Sequence, residues 1–214
     1  MHDKPTFKFE KAIISSDKKY IAGIDEAGRG TLAGPVTVGA IILKITSDNE
    51  KSLMNIGIND SKKITPKKRE ELYEYIISNS ISFSTGYSTE SEIDNIGINN
   101  AIQLAISRAL KNLNQKPDHL LIDAIKYSYN KIAQTSIIKG DQKSLSIAAA
   151  SILAKVSRDN YMISISNEYP HYLFNKNKGY GTKSHINAIK KYGKSKVHRK
   201  SFLIKNIDMK NNEK

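Results

Sequence analysis

The apolar run 21–24 stops at two adjacent carboxylates, Asp25 and Glu26, and the chain then turns at once through Gly28, Arg29 and Gly30. On a regular strand neighbouring side chains project to opposite faces, so two consecutive acids serve one centre only where the strand ends and the backbone bends. Glycine supplies that bend, because it reaches positive φ without a Cβ clash and leaves its amide open to a ligand. Taken alone, the stretch reads equally well as a site or as a strand end followed by a solvated acidic turn.

The same ending recurs. Residues 119–123 have the pattern of a buried strand closing on Asp123, and 135–138 make a shorter strand that runs into Asp141. Strand ends thus deliver Asp25, Glu26, Asp123 and Asp141, and ligands collect outside the carboxyl ends of strands in open, helix-covered sheets. Carboxylates gathered in one place oppose each other's ionisation unless a cation sits among them. A set made of oxygen ligands selects hard ions such as Mg²⁺ or Mn²⁺. The histidines, His2, His119, His171, His185 and His198, lack paired metal-ligand spacing and read as surface or hydrogen-bonded residues. With no cysteine in the chain, disulfides, thiolate metal sites and cysteine nucleophiles are all excluded.

The remaining pattern fills in a sheet and its covering helices. Strands at 20–25 and 36–43 are joined only by the loop 26–35, so they pair antiparallel. Thr65 caps a helix that starts at Pro66, turns Leu72, Tyr75 and Ile76 inward and fades near Asn79. Residues 82–89 alternate as a third strand, with Phe83, Thr85 and Tyr87 on one face. Ile98, Ile102, Ala105, Ile106, Ala109, Leu110 and Leu113 share one helical face, and a long helix over 144–168 carries the seam Leu145, Ala149, Ile152 and Val156. A further helix covers 182–192. The helical crossover after the third strand calls for at least one parallel pair. The expectation is an α/β fold: a five-stranded mixed sheet flanked by helices, with a C-terminal helical extension. The 214 residues suit one main core. Residues 1–19 read as a loosely held N-terminal extension, 20–202 as the main folded domain and 203–214 as a polar tail.

Lys and Arg outnumber Asp and Glu by 34 to 21, and the net charge of +13 points to a polyanionic partner. That signal is modest, because a chain rich in Lys, Ile and Asn is also what an AT-rich coding sequence yields. No apolar run reaches membrane-spanning length and the first 16 residues lack the features of a secretory signal, so the expected location is the cytoplasm, away from membrane.

Seven words in this order carry a resemblance: Asp25-Glu26-Ala27-Gly28-Arg29-Gly30, Asp60-Ser61-Lys62-Lys63, Leu121-Ile122-Asp123, Lys139-Gly140-Asp141, the run from Ala149 to Val156, Lys178-Gly179-Tyr180, and His198-Arg199-Lys200-Ser201-Phe202. Over residues 20–202 the chain resembles type 2 ribonuclease H, the ribonuclease HII family. The resemblance implies a ribonuclease H-like fold and a two-metal endonuclease, loaded with Mg²⁺ or Mn²⁺ and expected to be a monomer. Its implied partners are RNA/DNA hybrids and duplex DNA holding a single ribonucleotide, cut on the 5′ side to leave 3′-hydroxyl and 5′-phosphate ends. Asp25, Glu26, Asp123 and Asp141 match the metal-binding acids. Main-chain groups of Gly28, Arg29 and Gly30 match the reader of the 2′-hydroxyl, and Tyr180 the residue that stacks on the adjoining sugar. Ser151, Lys155 and Arg158, spaced along one helical face, are expected phosphate contacts, with Lys62 and Lys63 beside them.

Three residues depart from the family's pattern. Thr31 replaces an expected proline and should loosen the turn slightly; Ala124 replaces a common glycine; Asn177 replaces a common histidine and should alter a substrate contact. Ribonuclease HIII is the nearest alternative, opposed by Arg29 between two glycines and by the expected lack of a separate binding domain before Tyr20. A non-catalytic nucleic-acid-binding module on the same fold would lack at least one of the four acids.

Overall fold

The computed structural model describes residues 4–15, 17–58, 64–127 and 131–204. Five strands, β1 (Ile21–Ala27), β2 (Val36–Leu43), β3 (Ser80–Ser88), β4 (His119–Asp123) and β5 (Ala133–Ile137), form one sheet in the order β3-β2-β1-β4-β5. The described helices are α1 (Lys8–Ile13), α2 (Glu50–Asn55), α3 (Pro66–Ser78), α4 (Glu90–Ile96), α5 (Ile98–Asn112), α6 (Leu145–Ser164), α7 (Phe174–Asn177) and α8 (Lys183–Tyr192). As expected, β1 and β2 pair antiparallel across the short loop. The chain after β3 returns through α4 and α5 to lay β4 parallel to β1, and β5 then adds parallel to β4. The carboxyl ends of β1, β4 and β5 therefore lie on one edge of the sheet.

Two apolar layers hold the sheet. On one face α5 buries Ala101, Ile102, Ala105, Ile106 and Ala109 against Ala22, Ile24, Val38 and Ile122. On the other, α6 and α3 pack Ala149, Ile152, Leu72 and Ile76 around Ile41. Helix α6 sits directly on the strands: a Cβ on Gly39 would lie 2.3 Å from the Ala150 carbonyl oxygen, and one on Gly23 2.1 Å from that of Ser146. That approach sets the depth of Ser151 at the sheet edge.

Strand β3 alternates as expected. Phe83 and Tyr87 point outward, while Ser82, Ser84, Gly86 and Ser88 face α5, where the Ser84 and Ser88 hydroxyls donate to the Ala109 and Ala101 carbonyls. Residues 4–15 correct the expectation of a loose N-terminal segment. Phe7 is buried in the α6 layer, and Glu10, wholly buried in α1, accepts from the Ser144 hydroxyl at 2.7 Å and the Ser146 amide at 2.9 Å. A carboxylate at the first turn of α6 satisfies amides that have no helical partner and complements the helix dipole.

Candidate active site

Pairing of Ile24 with Ile122 sets Asp25 and Asp123 side by side where the β1–β4 pairing stops, but β1 does not end at Asp25 as expected: it runs on along β2 through Ala27, so Asp25 and Glu26 both lie within the strand. Asp25 is only 7% exposed; its Oδ1 accepts from the Glu26 amide at 2.7 Å, and the Ser151 hydroxyl of α6 also bonds its carboxylate. Burial, followed by the charges of Glu26 and Asp123, pushes the Asp25 pKa well above the usual carboxylate range. The Gly140 amide donates to Asp123 Oδ1 at 2.7 Å, and Asp141 follows in the buried 3₁₀ turn Gly140–Gln142 after β5. Asp25, Glu26 and Asp123 thus interact with one another, while Asp141 joins their edge of the sheet through the next turn. As the side chains stand, no three acids or histidines among the described residues close into a cation cage. The donor set nevertheless fits a hard divalent ion, because it consists of carboxylates and a cation would offset both the burial and the like charges that raise the pKa of Asp25.

Two buried arginines build the turn beside these acids. Gly28 has φ +90, and a Cβ there would lie 2.0 Å from Arg158 Nε. Arg158, fully buried, donates from Nε to the Pro35 carbonyl at 2.9 Å, from Nη1 to that of Lys178 at 2.9 Å, and from Nη2 to Thr31 Oγ1 at 2.9 Å and the Ala33 carbonyl at 3.0 Å. Its donors are spent inside the protein, which corrects the expectation that Arg158 is a phosphate contact. Arg199, also fully buried, donates to the carbonyls of Gly34, Arg29 and Gly28 at 3.0, 2.9 and 2.7 Å. Burial and the neighbouring Arg158 charge push the Arg199 pKa down, yet a guanidinium stays charged at neutral pH. Thr31 tightens the turn where loosening was expected: its hydroxyl donates to the Gly28 carbonyl at 3.0 Å and accepts from Arg158.

The outer side of the turn is open. Arg29 reaches Asn99 Oδ1 at 2.7 Å and Glu26 Oε1 at 3.5 Å, tying the turn to the start of α5. A Cβ on Gly30 would meet nothing within 4 Å, so the packing of the protein does not demand a glycine there. A cleft of about 250 Å³ brings Glu26, the turn 28–30, Ser151, Lys155 and Tyr180 around one space. Lys155 Nζ lies 4.9 Å from the centre of the Tyr180 ring and pairs with Asp159 at 2.8 Å. A larger cleft of about 460 Å³ shares Lys155 and Tyr180 and continues past Lys176 and Lys178.

Asn177 is buried; it donates to the Tyr172 carbonyl at 2.6 Å and accepts from the Gly179 amide at 2.8 Å. It braces the loop that presents Tyr180, correcting the expectation of a substrate contact. Ala124 adopts φ 51, the left-handed conformation that glycine takes with less strain. Lys62 and Lys63 lie outside the described residues. Sequence reasoning missed Arg199 and Asn99 as parts of the site. No periodicity marks Arg199, whose partners are main-chain carbonyls 165 to 171 positions away.

The family model described as Ribonuclease HII matches residues 22–205. A ribonuclease HII from Caldicellulosiruptor bescii is 49% identical over 205 residues, covering 96% of each chain. One from Clostridioides difficile is 49% identical over 199 residues, covering 93% of this chain and 75% of its own. Among solved structures, the ribonuclease H2 of Pyrococcus horikoshii superposes with a TM-score of 0.71 at 27% identity, covering 86% of this chain and 94% of that one.

Proposed function

The chain belongs to the ribonuclease HII family and is a ribonuclease H, and from that premise we propose that it hydrolyses the RNA strand of RNA/DNA hybrids and incises duplex DNA on the 5′ side of an embedded ribonucleotide. The products in this reading are 3′-hydroxyl and 5′-phosphate ends. The observation that carries it is the cleft in which Glu26, the turn 28–30, Ser151, Lys155 and Tyr180 face one space at the carboxyl end of β1.

In this reading Asp25, Glu26, Asp123 and Asp141 hold Mg²⁺ or Mn²⁺. When bound, such ions supply a water of lowered pKa and stabilise charge on the leaving oxygen. The protein's own part is to fix oxygens in place: Ser151 and the Glu26 amide orient Asp25, and the Gly140 amide orients Asp123. The open Gly30 and its neighbours offer main-chain groups to a 2′-hydroxyl, the group that separates RNA from DNA. Tyr180, about a third exposed at the cleft, stacks on the sugar that follows the ribonucleotide. Ser151 and Lys155 contact phosphates, as do Lys62 and Lys63. Residues 20–202 form the catalytic domain of a cytoplasmic, monomeric enzyme. Among the described residues no helix is long and apolar enough to cross a membrane.

The test is a DNA duplex holding one ribonucleotide, incubated with Mg²⁺ or Mn²⁺ beside an Asp25→Asn variant. The expected result is a nick immediately 5′ of the ribonucleotide, abolished by the substitution and by chelator. No nick with either ion, or equal cutting by the variant, overturns the reading.

A further inference from the structure

Two buried histidines lie behind the cleft, away from the acids. His185, in the first turn of α8, and His198 are 0% and 1% exposed, and their Nε2 atoms face each other at 3.0 Å. Tyr172 and Phe174 enclose them, with the Tyr172 ring centre 4.8 Å from that of His198 and the Phe174 centre 5.4 Å from that of His185. The remaining ring nitrogens fix the protonation of both. The Ser195 amide donates to His198 Nδ1 at 2.9 Å, so that nitrogen carries no hydrogen and His198, neutral, carries it on Nε2. His185 Nδ1 lies 2.9 Å from the Tyr180 carbonyl oxygen, which only accepts, so His185 carries its hydrogen on Nδ1 and presents a lone pair at Nε2. The four groups therefore form one directed chain, from the Ser195 amide through His198 and His185 to the Tyr180 carbonyl. The Ser195 hydroxyl, 2.7 Å from His198 Nδ1, donates to the same lone pair in this arrangement. Burial favours the neutral rings, pushing His185 down and His198 to about 4.

One end of this arrangement, Tyr180, is a wall of the cleft, and the residue after His198 reaches the other. Tyr180 is also held by its amide, which donates to the Asn177 carbonyl at 2.9 Å, so its backbone is fixed on both sides while its ring remains at the cleft. The neighbour of His198 in sequence is Arg199, whose guanidinium holds the Gly28 and Arg29 carbonyls on the opposite wall. Between them the segment is pinned to the loop 32–34: Ala33 bridges His198, and the Arg199 amide donates to the Leu32 carbonyl at 2.9 Å.

We propose that His185, its tautomer set by His198, is a positioning residue that fixes Tyr180 across the cleft from the Gly28–Gly30 turn held by Arg199, and so determines how strongly the enzyme prefers a ribonucleotide followed by a deoxynucleotide over continuous hybrid. The proposal rests on the reading of Tyr180 given above. The ordinary role of a buried histidine pair is packing alone, and the amide analogues of His185 separate the two. Asparagine places an N–H where Nδ1 stands and keeps the bond to Tyr180; glutamine reaches toward His198 and loses it.

The experiment has two arms. Long-range ¹H–¹⁵N correlation on histidine-labelled protein at pH 7 should show His185 protonated at Nδ1 and His198 at Nε2; the reversed tautomers or a charged ring overturn the proposal. The second arm measures kcat/KM on a single-ribonucleotide duplex and on a uniform hybrid for the parent, Tyr180→Ala, His185→Asn and His185→Gln. The ratio of the two should fall about tenfold in His185→Gln, in the same direction as Tyr180→Ala, and stay within about twofold of the parent in His185→Asn, as loss or retention of one buried hydrogen bond predicts. Equal ratios in the two His185 variants overturn the proposal, since lost packing is common to both. An unchanged ratio in Tyr180→Ala sinks the Tyr180 reading and the proposal with it, whereas a fall in Tyr180→Ala with none in His185→Gln sinks the proposal alone.

Discussion

Replacing Arg199 with lysine keeps the charge but removes the fork that holds the turn. The guanidinium donates from three separate nitrogens to the Gly34, Arg29 and Gly28 carbonyls. A lysine ammonium from the same backbone position is a single nitrogen and reaches one of those carbonyls, leaving two buried and unpaired. Each orphaned group costs about 1–3 kcal/mol, so the pair costs about 4 kcal/mol. In a domain of this size 1 kcal/mol moves the melting temperature by about 2–4 °C, which sets the expected fall at about 8–16 °C. The assay is thermal unfolding followed by circular dichroism in chelator, with nicking of the single-ribonucleotide duplex measured well below the transition. The released carbonyls belong to the residues proposed to read the ribose, so the folded variant should also lose nicking efficiency at temperatures where the parent is intact. A fall in melting temperature under about 3 °C would refute the reasoning, since less than the cost of one unpaired carbonyl would then be missing.

The metal-free protein should gain stability from Asp25→Asn at pH 8. The folded Asp25 pKa lies above its unfolded value, so the stability it contributes is present below the unfolded pKa and lost as pH rises through the folded one; melting curves from pH 4 to 8 in chelator check this, and a variant less stable than the parent at pH 8 contradicts it. Gly39→Ala places a methyl 2.3 Å from the Ala150 carbonyl oxygen and should destabilise by about 1–3 kcal/mol, lifting α6 and Ser151 off the sheet. Denaturant unfolding reads the first effect and nicking rate the second, and unchanged values in both refute it. Glu10→Ala should cost about 3–6 kcal/mol through loss of two charge-assisted hydrogen bonds at the start of α6. Limited proteolysis should then cut within residues 4–15 faster than in the parent.

What the sequence makes legible is set by the range of the forces involved. The strand end at Asp123, the helix over 66–78 and the apolar seam of α5 follow from side chains a few positions apart, and each lies where its local pattern predicts, whereas β1 runs past Asp25 to Ala27 because its pairing with β2 continues. Helix α4 was open to the same reading. Thr89 and Glu92 form a capping box, and the strong periodicity that begins at Ile98 hid the short helix before it. The helical crossover does call for a parallel pair, but β4 pairs with β1 rather than β3, because the pairing partner is chosen by burial across the whole sheet. Arg158 is the instructive case: its spacing from Ser151 and Lys155 places it on a polar helix face, whereas its partners are carbonyls of residues 33, 35 and 178. Main-chain carbonyls carry no residue identity, so nothing in the sequence advertises a side chain that binds them. Arg199 stands within one of the seven words of the resemblance, but its role as a holder of carbonyls is equally invisible there.

The bond from Arg199 to Gly28 spans 171 positions. During synthesis the segment that bears Asp25 and Glu26 emerges well before residue 199, and its sheet neighbours β2 and β4 can assemble with it in the interval. The turn beside the acids is completed only after residue 199 has emerged, at rates of about 5–20 residues per second roughly ten seconds or more after Gly28 was made. A nascent chain therefore carries its cluster of acids long before it carries the finished turn beside them, and a segment made late completes the surroundings of one made early.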